Sequence, residues 1–525
     1  MRDAVARAGS ALAAHPRLSA LACGLLAALG FPPLNLWPIA LAGMAGLAAL
    51  VARTSGWRQA AWIGWLFGVA HFTFANNWIA TAFTYQANMP PALGWVAVPL
   101  LALYLAVYPA IGAALARVLG GTRPLPLALA LAASWVFSEW LRSWVFTGYA
   151  WDPFGLILLG PFDRPGLAAL LPWLGTYALS GLAVLIAGGL AALMAAQAWW
   201  RALAVFVLAA IGMYLPAPAA REGTLPVTLV QPGFEQDELD RPEMFEAQFR
   251  ELAVTTAPRR DPGKRLVLWP ESGLPDYLQD GYPQRYYLGT TAGGDPKFAR
   301  ERIGQVIGPG SLLLTGAVDL EIAGGQAVGA YNVVSALDSN GRFHGSYAKA
   351  HLVPYGEYLA LRWLLEPLGA TRLVSGSFDF IPGPGPRTLD LGEYGRAGMQ
   401  ICYEITFAGQ VVDRAHRPDY IFNPSNDGWF GAFGPPQHLA QARLRAIEEG
   451  LPVLRATVNG ISAVIDARGV VRAHLPQSHQ PGRIDALVPP ALPETLFARF
   501  GNLLSLGWAI AILALTALVR RRRGG

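Results

Sequence analysis

Charge is scarce in this sequence. Asp, Glu, Lys and Arg make up 14% of the 525 residues, where an ordinary soluble domain carries about 25%. Hydrophobic residues reach 53% and the mean hydropathy is +0.34, which excludes an ordinary soluble protein. Lysine is nearly missing, with Lys264, Lys297 and Lys349 the only three among 40 basic residues. Cysteine occurs twice, at Cys23 and Cys402. No P-loop lysine motif, dinucleotide fingerprint, internal repeat or low-complexity linker is present, so no nucleotide cofactor is expected. Neither His351 nor His438 has metal-ligand spacing to Cys or another His, which argues against zinc. The net charge of +5 points first to nucleic acid. Much of that excess is the run Arg520 to Arg523 behind an apolar stretch, a pattern that sets membrane topology and implies no nucleic-acid partner.

Apolar runs fill residues 1–217, with about seven centres near 24, 43, 70, 103, 133, 182 and 207, and one more covers about 501–519. Each is read as a helix crossing roughly 30 Å of hydrocarbon, about eight in all. Arg2, Arg7 and Arg17 precede the first run, but further spans and Gly30-Phe31-Pro32-Pro33 follow it, so a retained anchor is expected rather than a cleaved signal peptide. Arg53 and Arg58, Arg117 and Arg123, Arg201 and the arginine tail fall on the same side, with Arg142 and Arg164 as exceptions. By the positive-inside rule both termini are cytoplasmic. Three domains follow: a membrane bundle at 1–217, an exported domain at 218–497, and a last span with its arginine tail at 498–525.

The exported segment alternates strand-like runs with helical ones. The runs are Val227–Gln231, Leu266–Trp269, Ser311–Thr315, Tyr331–Leu337, Gly398–Tyr403, Tyr420–Asn423, Val453–Val458 and Ser462–Asp466, the pattern of a layered α/β fold. A helix is expected after Asp240, where Asp240 and Glu243 have capping-box spacing and Phe245, Phe249 and Leu252 share a face. A second is expected from about Gln437 to Glu449.

Within this domain Cys402 is a lone thiol in an oxidising compartment, because Cys23 lies inside a span. It is a candidate nucleophile, or else a small buried hydrophobe. Lys349 stands beside the largely apolar His351-Leu352-Val353-Pro354, and an amine there is retained in a chain that otherwise uses arginine. Glu271 follows an all-apolar strand, which places a carboxylate at the strand end.

Together these segments resemble the nitrilase superfamily: Glu in WPES (269–272), Lys in KAHLVPYGEY (349–358) and Cys in ICYE (401–404). Over nearly the full length the chain is similar to the apolipoprotein N-acyltransferase family of bacterial inner membranes. The further matches are NDGWFG (426–431), the stretch 434–466, Gly30 to Pro33, and Glu139-x-x-Arg142 followed by Gly148-Tyr149-Ala150-Trp151. One departure stands out. Members often carry Trp about nine residues after the Val-Gln that opens the domain, and after Val230-Gln231 this chain has Leu239-Asp240.

The resemblance implies a polytopic membrane protein with an inserted α-β-β-α sandwich, and a Glu271, Lys349, Cys402 triad. A free thiol is a few per cent ionised at pH 7, so full ionisation gains at most about 30-fold. An oxyanion donor is worth roughly 10²–10³. Lys349 is therefore assigned to the oxyanion with the backbone N–H of Tyr403, and Glu271 to general base. The implied reaction takes an acyl chain from a phospholipid onto Cys402 and passes it to the α-amino group of a diacylated apolipoprotein cysteine. The alternative is a membrane-anchored nitrilase-type amidase that uses water. Glu357 and Glu404 are supporting acids. A Cys-His dyad through His351 or His438 is the rival, with loop orientation the expected role of both. Tyr358 to Leu365, including Trp363 and Leu364, with Pro367-Leu368 beyond, reads as a segment dipping into membrane lipid. Trp429, Phe430 and Phe433 read as a lid or as core. Glu139 and Arg142 share a helix face and are functional candidates if at span depth, or interfacial residues otherwise. No cofactor or metal is implied, and the chain is expected to act as a monomer.

Overall fold

The computed structural model describes residues 14–85, 90–258, 263–368 and 379–521. Arg2, Arg7, Arg522 and Arg523, invoked for topology, lie outside the described residues, as do the side chains of Leu365 and Leu368. Two compact units separate. One holds Met1–Ala80, Ala92–Ala217 and Thr495–Gly525, and the other Thr81–Pro91 and Pro218–Glu494. Sequence patterning places the joints near 217 and 497 and does not anticipate that Thr81–Pro91 clusters with the second unit.

The first unit is helical, as its unbroken apolar composition requires. Helices stand at the apolar centres: Pro16–Ala28, Trp37–Ala52, Trp57–Ala75, Leu93–Leu105 with Val107–Gly120, Pro124–Arg142, Leu171–Ala195, Trp199–Tyr214 and Asn502–Arg521. Among the described residues four segments are long and apolar enough to cross a bilayer: Leu93–Gly120, Pro124–Arg142, Leu167–Ala195 and Asn502–Arg521. Pro16–Ala28, Trp37–Ala52 and Trp199–Tyr214 are apolar but shorter, below the roughly 20 residues that span hydrocarbon without adjustment. Small residues let these helices approach closely. A Cβ on Gly24 would sit 2.1 Å from the carbonyl oxygen of Phe67.

Among the described residues the second unit carries twelve strands in two six-stranded sheets. In chain order they are β1 (Pro226–Gln231), β2 (Arg265–Leu268), β3 (Ser311–Ala323), β4 (Gln326–Asp338), β5 (Phe343–Ala348), β6 (Thr388–Asp390), β7 (Arg396–Met399), β8 (Tyr420–Ser425), β9 (Val453–Thr457), β10 (Ala463–Ile465), β11 (Val471–His474) and β12 (Gly482–Leu487). The first sheet runs β12-β1-β2-β3-β4-β5 and the second β11-β10-β9-β8-β7-β6. Both are mixed. β1 and β2 pair in parallel with Val227 beside Leu266, and β7 and β8 with Gly398 beside Ile421, while the outer pairs are antiparallel.

Each sheet carries a helical layer. Leu252 from Phe245–Thr256 and Ile303 and Ile307 from Pro296–Ile307 pack with Val230, Val267 and Leu313. Leu439, Ala442 and Ala446 from Gly434–Glu449 pack with Ile421, Val453 and Ile465. A polar clasp joins the two sheets, where Gln231 Oε1 accepts from Ser462 Oγ at 2.7 Å and Thr457 Oγ1 at 3.3 Å. These layers have the α-β-β-α order.

Two local expectations are corrected. The helix after Asp240 starts with a 3₁₀ turn, Pro242–Met244, before Phe245–Thr256, and no side chain caps either segment. The run Gly398–Tyr403 is not one strand. β7 ends at Met399, and Cys402 opens a 3₁₀ turn, Cys402–Thr406, with φ +52°. Its alternating apolar residues are buried as expected, but the backbone has already left the sheet.

Candidate active site

Three loops converge at strand ends. Glu271 lies three residues past β2, in a turn whose next residue, Ser272, has φ +56°. The turn fits because β3 offers Gly316, where a Cβ would lie 2.7 Å from the Cα of Glu271. Lys349 follows β5 directly, its N–H donating to the carbonyl of Asn332 on β4 at 2.9 Å. Glu357 closes the loop beyond, where Tyr355 has φ +62°. Cys402 lies three residues past β7. Such positive φ values are costly for non-glycine residues and persist where surroundings over-determine them.

Lys349 is 1% exposed. Its Nζ donates to Glu357 Oε1 at 2.9 Å and Glu271 Oε1 at 3.2 Å. Asn332 Nδ2 bridges the same two oxygens, at 2.8 Å to Glu271 and 3.0 Å to Glu357. The second oxygen of Glu271 accepts the N–H of Asn426 at 2.9 Å, and that of Glu357 the N–H of Val353 at 2.8 Å. Burial alone would lower the affinity of Lys349 for its proton. The two carboxylates overcome this and hold it above the ordinary lysine range. Lys349 is thus a fixed cation, suited to stabilising negative charge and unsuited to acting as a base.

The Cys402 thiol is pushed well up by burial and then by the Glu271 carboxylate, with Lys349 opposing. At rest Cys402 therefore keeps its proton as a thiol, and any attack by its sulfur would need a nearby base. Glu271 is a carboxylate whose charge acts on both Lys349 and Cys402, a placement that suits such a base. Glu404 ties the Lys349 and Cys402 loops together. Its Oε1 accepts from Tyr347 Oη and Ala350 N, each at 2.7 Å, and from His351 N at 3.2 Å, while Oε2 accepts from Ile401 N at 2.7 Å.

Sequence reasoning missed three buried residues. Asn332 is a polar residue in the apolar face of β4. Arg455 stands between apolar Leu454 and Ala456 in β9 and binds Asp427 Oδ2 at 2.7 Å. Asp427 sits in the Asn-Asp-Gly turn, 1% exposed. A charge inside an apolar strand was the legible signal. His438 contacts the backbone of Cys402, with Nε2 3.0 Å from its carbonyl oxygen, an orienting contact rather than that of a Cys-His dyad. His351 stacks on Phe407 at 4.2 Å.

The remaining candidates divide. Trp363 is 76% exposed and Leu364 44%, but Leu359 and Ala360 are buried, so only the tip of the greasy segment is displayed. Trp429 is half-buried against Tyr85. Phe430 is buried with its ring on His438 and is core rather than lid, while Phe433 is half-buried. Leu239, in the region where family members often have Trp, packs against the first sheet's core and Asp240 is exposed. In the helical unit Glu139 and Arg142 are 3.9 Å apart and buried within the protein. They pin a loop: Glu139 accepts the N–H of Phe154 at 2.7 Å, and Arg142 donates to the Trp151 carbonyl at 2.6 Å. Among the described residues no His, Cys, Asp and Glu cluster suits a metal ion.

Comparison with known proteins covers both units. The family model for the apolipoprotein N-acyltransferase N-terminal domain matches residues 23–189, and that for carbon-nitrogen hydrolase matches residues 246–481. The apolipoprotein N-acyltransferase of Rhodopseudomonas palustris is 33% identical over 533 residues, covering 96% of this chain and 95% of the relative. That of Bradyrhizobium diazoefficiens is 35% identical over 532 residues, covering 96% and 95%. A solved amidase from Nesterenkonia sp. is 17% identical with a TM-score of 0.34, covering 52% of this chain and 93% of that one. Matched along nearly its whole length by such relatives, with a family model on each unit, the chain belongs to the apolipoprotein N-acyltransferase family.

Proposed function

We propose that this acyltransferase of lipoprotein N-acylation works in two half-reactions on Cys402. In the first, Glu271 takes the thiol proton as sulfur attacks the ester carbonyl of a phospholipid. The carbonyl oxygen becomes an oxyanion facing Lys349 and the Tyr403 N–H. The carbon–oxygen ester bond breaks, the departing alkoxide takes the proton back from Glu271, and a lysophospholipid leaves a thioester on Cys402. In the second, the α-amino group of a diacylated apolipoprotein cysteine attacks the thioester carbon. Glu271 takes the amine proton, the carbon–sulfur bond breaks, and the proton returns to sulfur. Acyl chain, protons and electrons balance with no cofactor.

The observation that carries this reading is Lys349, buried as a fixed cation between Glu271 and Glu357. Oxyanion stabilisation of about 10²–10³ per donor exceeds what thiol ionisation offers. Exposed Trp363 and Leu364 supply an apolar tip for lipid. A water-using amidase is not favoured. Purified enzyme given phospholipid and a diacylated lipopeptide should yield an N-acylated peptide. Turnover to free fatty acid alone would reject the transferase.

The arrangement is read as eight spans with both termini cytoplasmic, the second unit on the outer face of a bacterial inner membrane, and a monomer. Support comes from the helices at each apolar centre and from the arginine asymmetry of the short loops. An impermeant maleimide should label Trp363→Cys in intact spheroplasts, and labelling only after permeabilisation would reverse the orientation.

A further inference from the structure

His438, Arg455 and Asp427 form a buried polar cluster behind the nucleophile turn, and the two-step reaction leaves it unused. All three are at most 1% exposed. Arg455 Nη2 donates to Asp427 Oδ1 at 2.9 Å and Oδ2 at 2.7 Å, and Nη1 donates to Ser425 Oγ at 2.9 Å and to Asn423 Oδ1. His438 Nδ1 lies 3.0 Å from both Arg455 Nη2 and Asp427 Oδ1. Its Nε2 lies 3.0 Å from the carbonyl oxygen of Cys402.

A carbonyl oxygen can only accept, so Nε2 carries the hydrogen. Burial, and then the Arg455 charge, push the ring below the ordinary histidine range and keep it neutral. In that tautomer Nδ1 accepts from Arg455. Asp427, pushed up by burial but held down overall, chiefly by the Arg455 charge, balances the guanidinium. The charges are paired, and the donor that the cluster presents to Cys402 is the Nε2–H of His438.

The Cys402 carbonyl and the Tyr403 N–H belong to one peptide plane, and in a trans peptide they point to opposite edges. Fixing the oxygen at one edge fixes the direction of the N–H at the other. We propose that His438, locked in its Nε2–H tautomer by Arg455 and Asp427, is a positioning residue that aims the Tyr403 N–H at the oxyanion by gripping the Cys402 carbonyl. The same grip holds Cys402 at φ +52°. Asn423 Nδ2 assists at 3.4 Å from that carbonyl oxygen. This rests on the two-step reading above.

Two substitutions separate this role from simple packing. The amide nitrogen of His438→Gln can reach the place of Nε2 and keep the grip, whereas His438→Asn places its polar end near Nδ1 and loses it. Two rates are read on the full-length enzyme in detergent. Acyl-adduct formation with phospholipid passes through an oxyanion, and alkylation of Cys402 by iodoacetamide does not. The Asn variant should form adduct at least about ten-fold more slowly, a part of the roughly 10²–10³ of a lost oxyanion donor, with alkylation within about three-fold of wild type. The Gln variant should stay within about three-fold in both. Adduct formation by the Asn variant at the wild-type rate would overturn the proposal. So would a Gln variant as impaired as Asn, or alkylation falling in step with acylation. Failure of the two-step reading looks different, because wild type itself would then give no adduct.

Discussion

The Glu404 carboxylate accepts the backbone N–H of Ala350 at 2.7 Å. The residue two beyond Cys402 thereby holds the residue one beyond Lys349, and the loops carrying the two keep a fixed spacing. Burial pushes Glu404 up to about 7 although its hydrogen bonds to Tyr347, Ile401 and Ala350 oppose the shift, and burial with the neighbouring Glu448 takes Glu449 to about 7 as well. A carboxyl raised by folding stabilises the fold fully below its unfolded value, near 4.3, and loses that contribution as pH rises through about 7. The wild-type melting temperature should therefore decline between about pH 4.5 and 7. Glu404→Gln should show a shallower decline, measured by thermal unfolding in detergent. Parallel curves for the two proteins would contradict the assignment.

Glu404→Ala removes the acceptor from four buried donors. Each unsatisfied group costs about 1–3 kcal/mol, so a drop of several degrees in melting temperature is expected, together with loss of acyl transfer. An unchanged transition would show that the loops are held by other means.

Glu271→Gln should separate reactivity from catalysis. The carboxylate is one of the groups that push the Cys402 thiol up, so its removal should raise the thiolate fraction and speed alkylation by iodoacetamide at pH 8. Acyl transfer should fall by about 10² or more, the weight of a lost general base. Alkylation and transfer falling together would deny Glu271 the base role.

Lys349→Met leaves Glu271 and Glu357, both bonded to the lysine at present, as two adjoining carboxylates without their cation. Breaking a buried ion pair by removing one partner costs about 3–5 kcal/mol. The variant should be less stable and inactive, and its thiol should titrate higher than that of wild type. Lys349→Arg keeps charge but not shape and should remain inactive. An active arginine variant would reduce the lysine to a structural counter-ion.

Trp363 tests access rather than chemistry. At 76% exposure it contributes little to the fold, so Trp363→Glu should melt like wild type. It should raise KM for long-chain phospholipid with kcat little changed. Unaltered kinetics would remove this tip from the lipid route.

Much of this architecture was legible because its signals are local. Apolar runs placed the helices, and β-strands such as Val227–Gln231 and Tyr420–Asn423 appeared within a residue or two of their observed bounds. Glu271, Lys349 and Cys402 stood out because each is chemically anomalous where it sits: a carboxylate after an apolar strand, a rare amine and a lone thiol. What stayed hidden depends on the tertiary arrangement. The turn at Cys402 follows the same apolar alternation as a strand, and only its surroundings impose φ +52°. Asn332 and Arg455 are polar residues within strands, and their partners Glu271 and Asp427 are 61 and 28 residues away in sequence. The capping-box spacing at Asp240 was misleading because the backbone there forms a 3₁₀ segment, Pro242–Met244, that no side chain caps.

The most direct test is intact-mass spectrometry of the purified enzyme after incubation with phospholipid alone. A mass increase of one acyl chain on Cys402, missing in Cys402→Ala and discharged on adding a diacylated lipopeptide, is the expected result. Transfer to the lipopeptide with no adduct on Cys402 at any time during turnover would contradict the thioester intermediate.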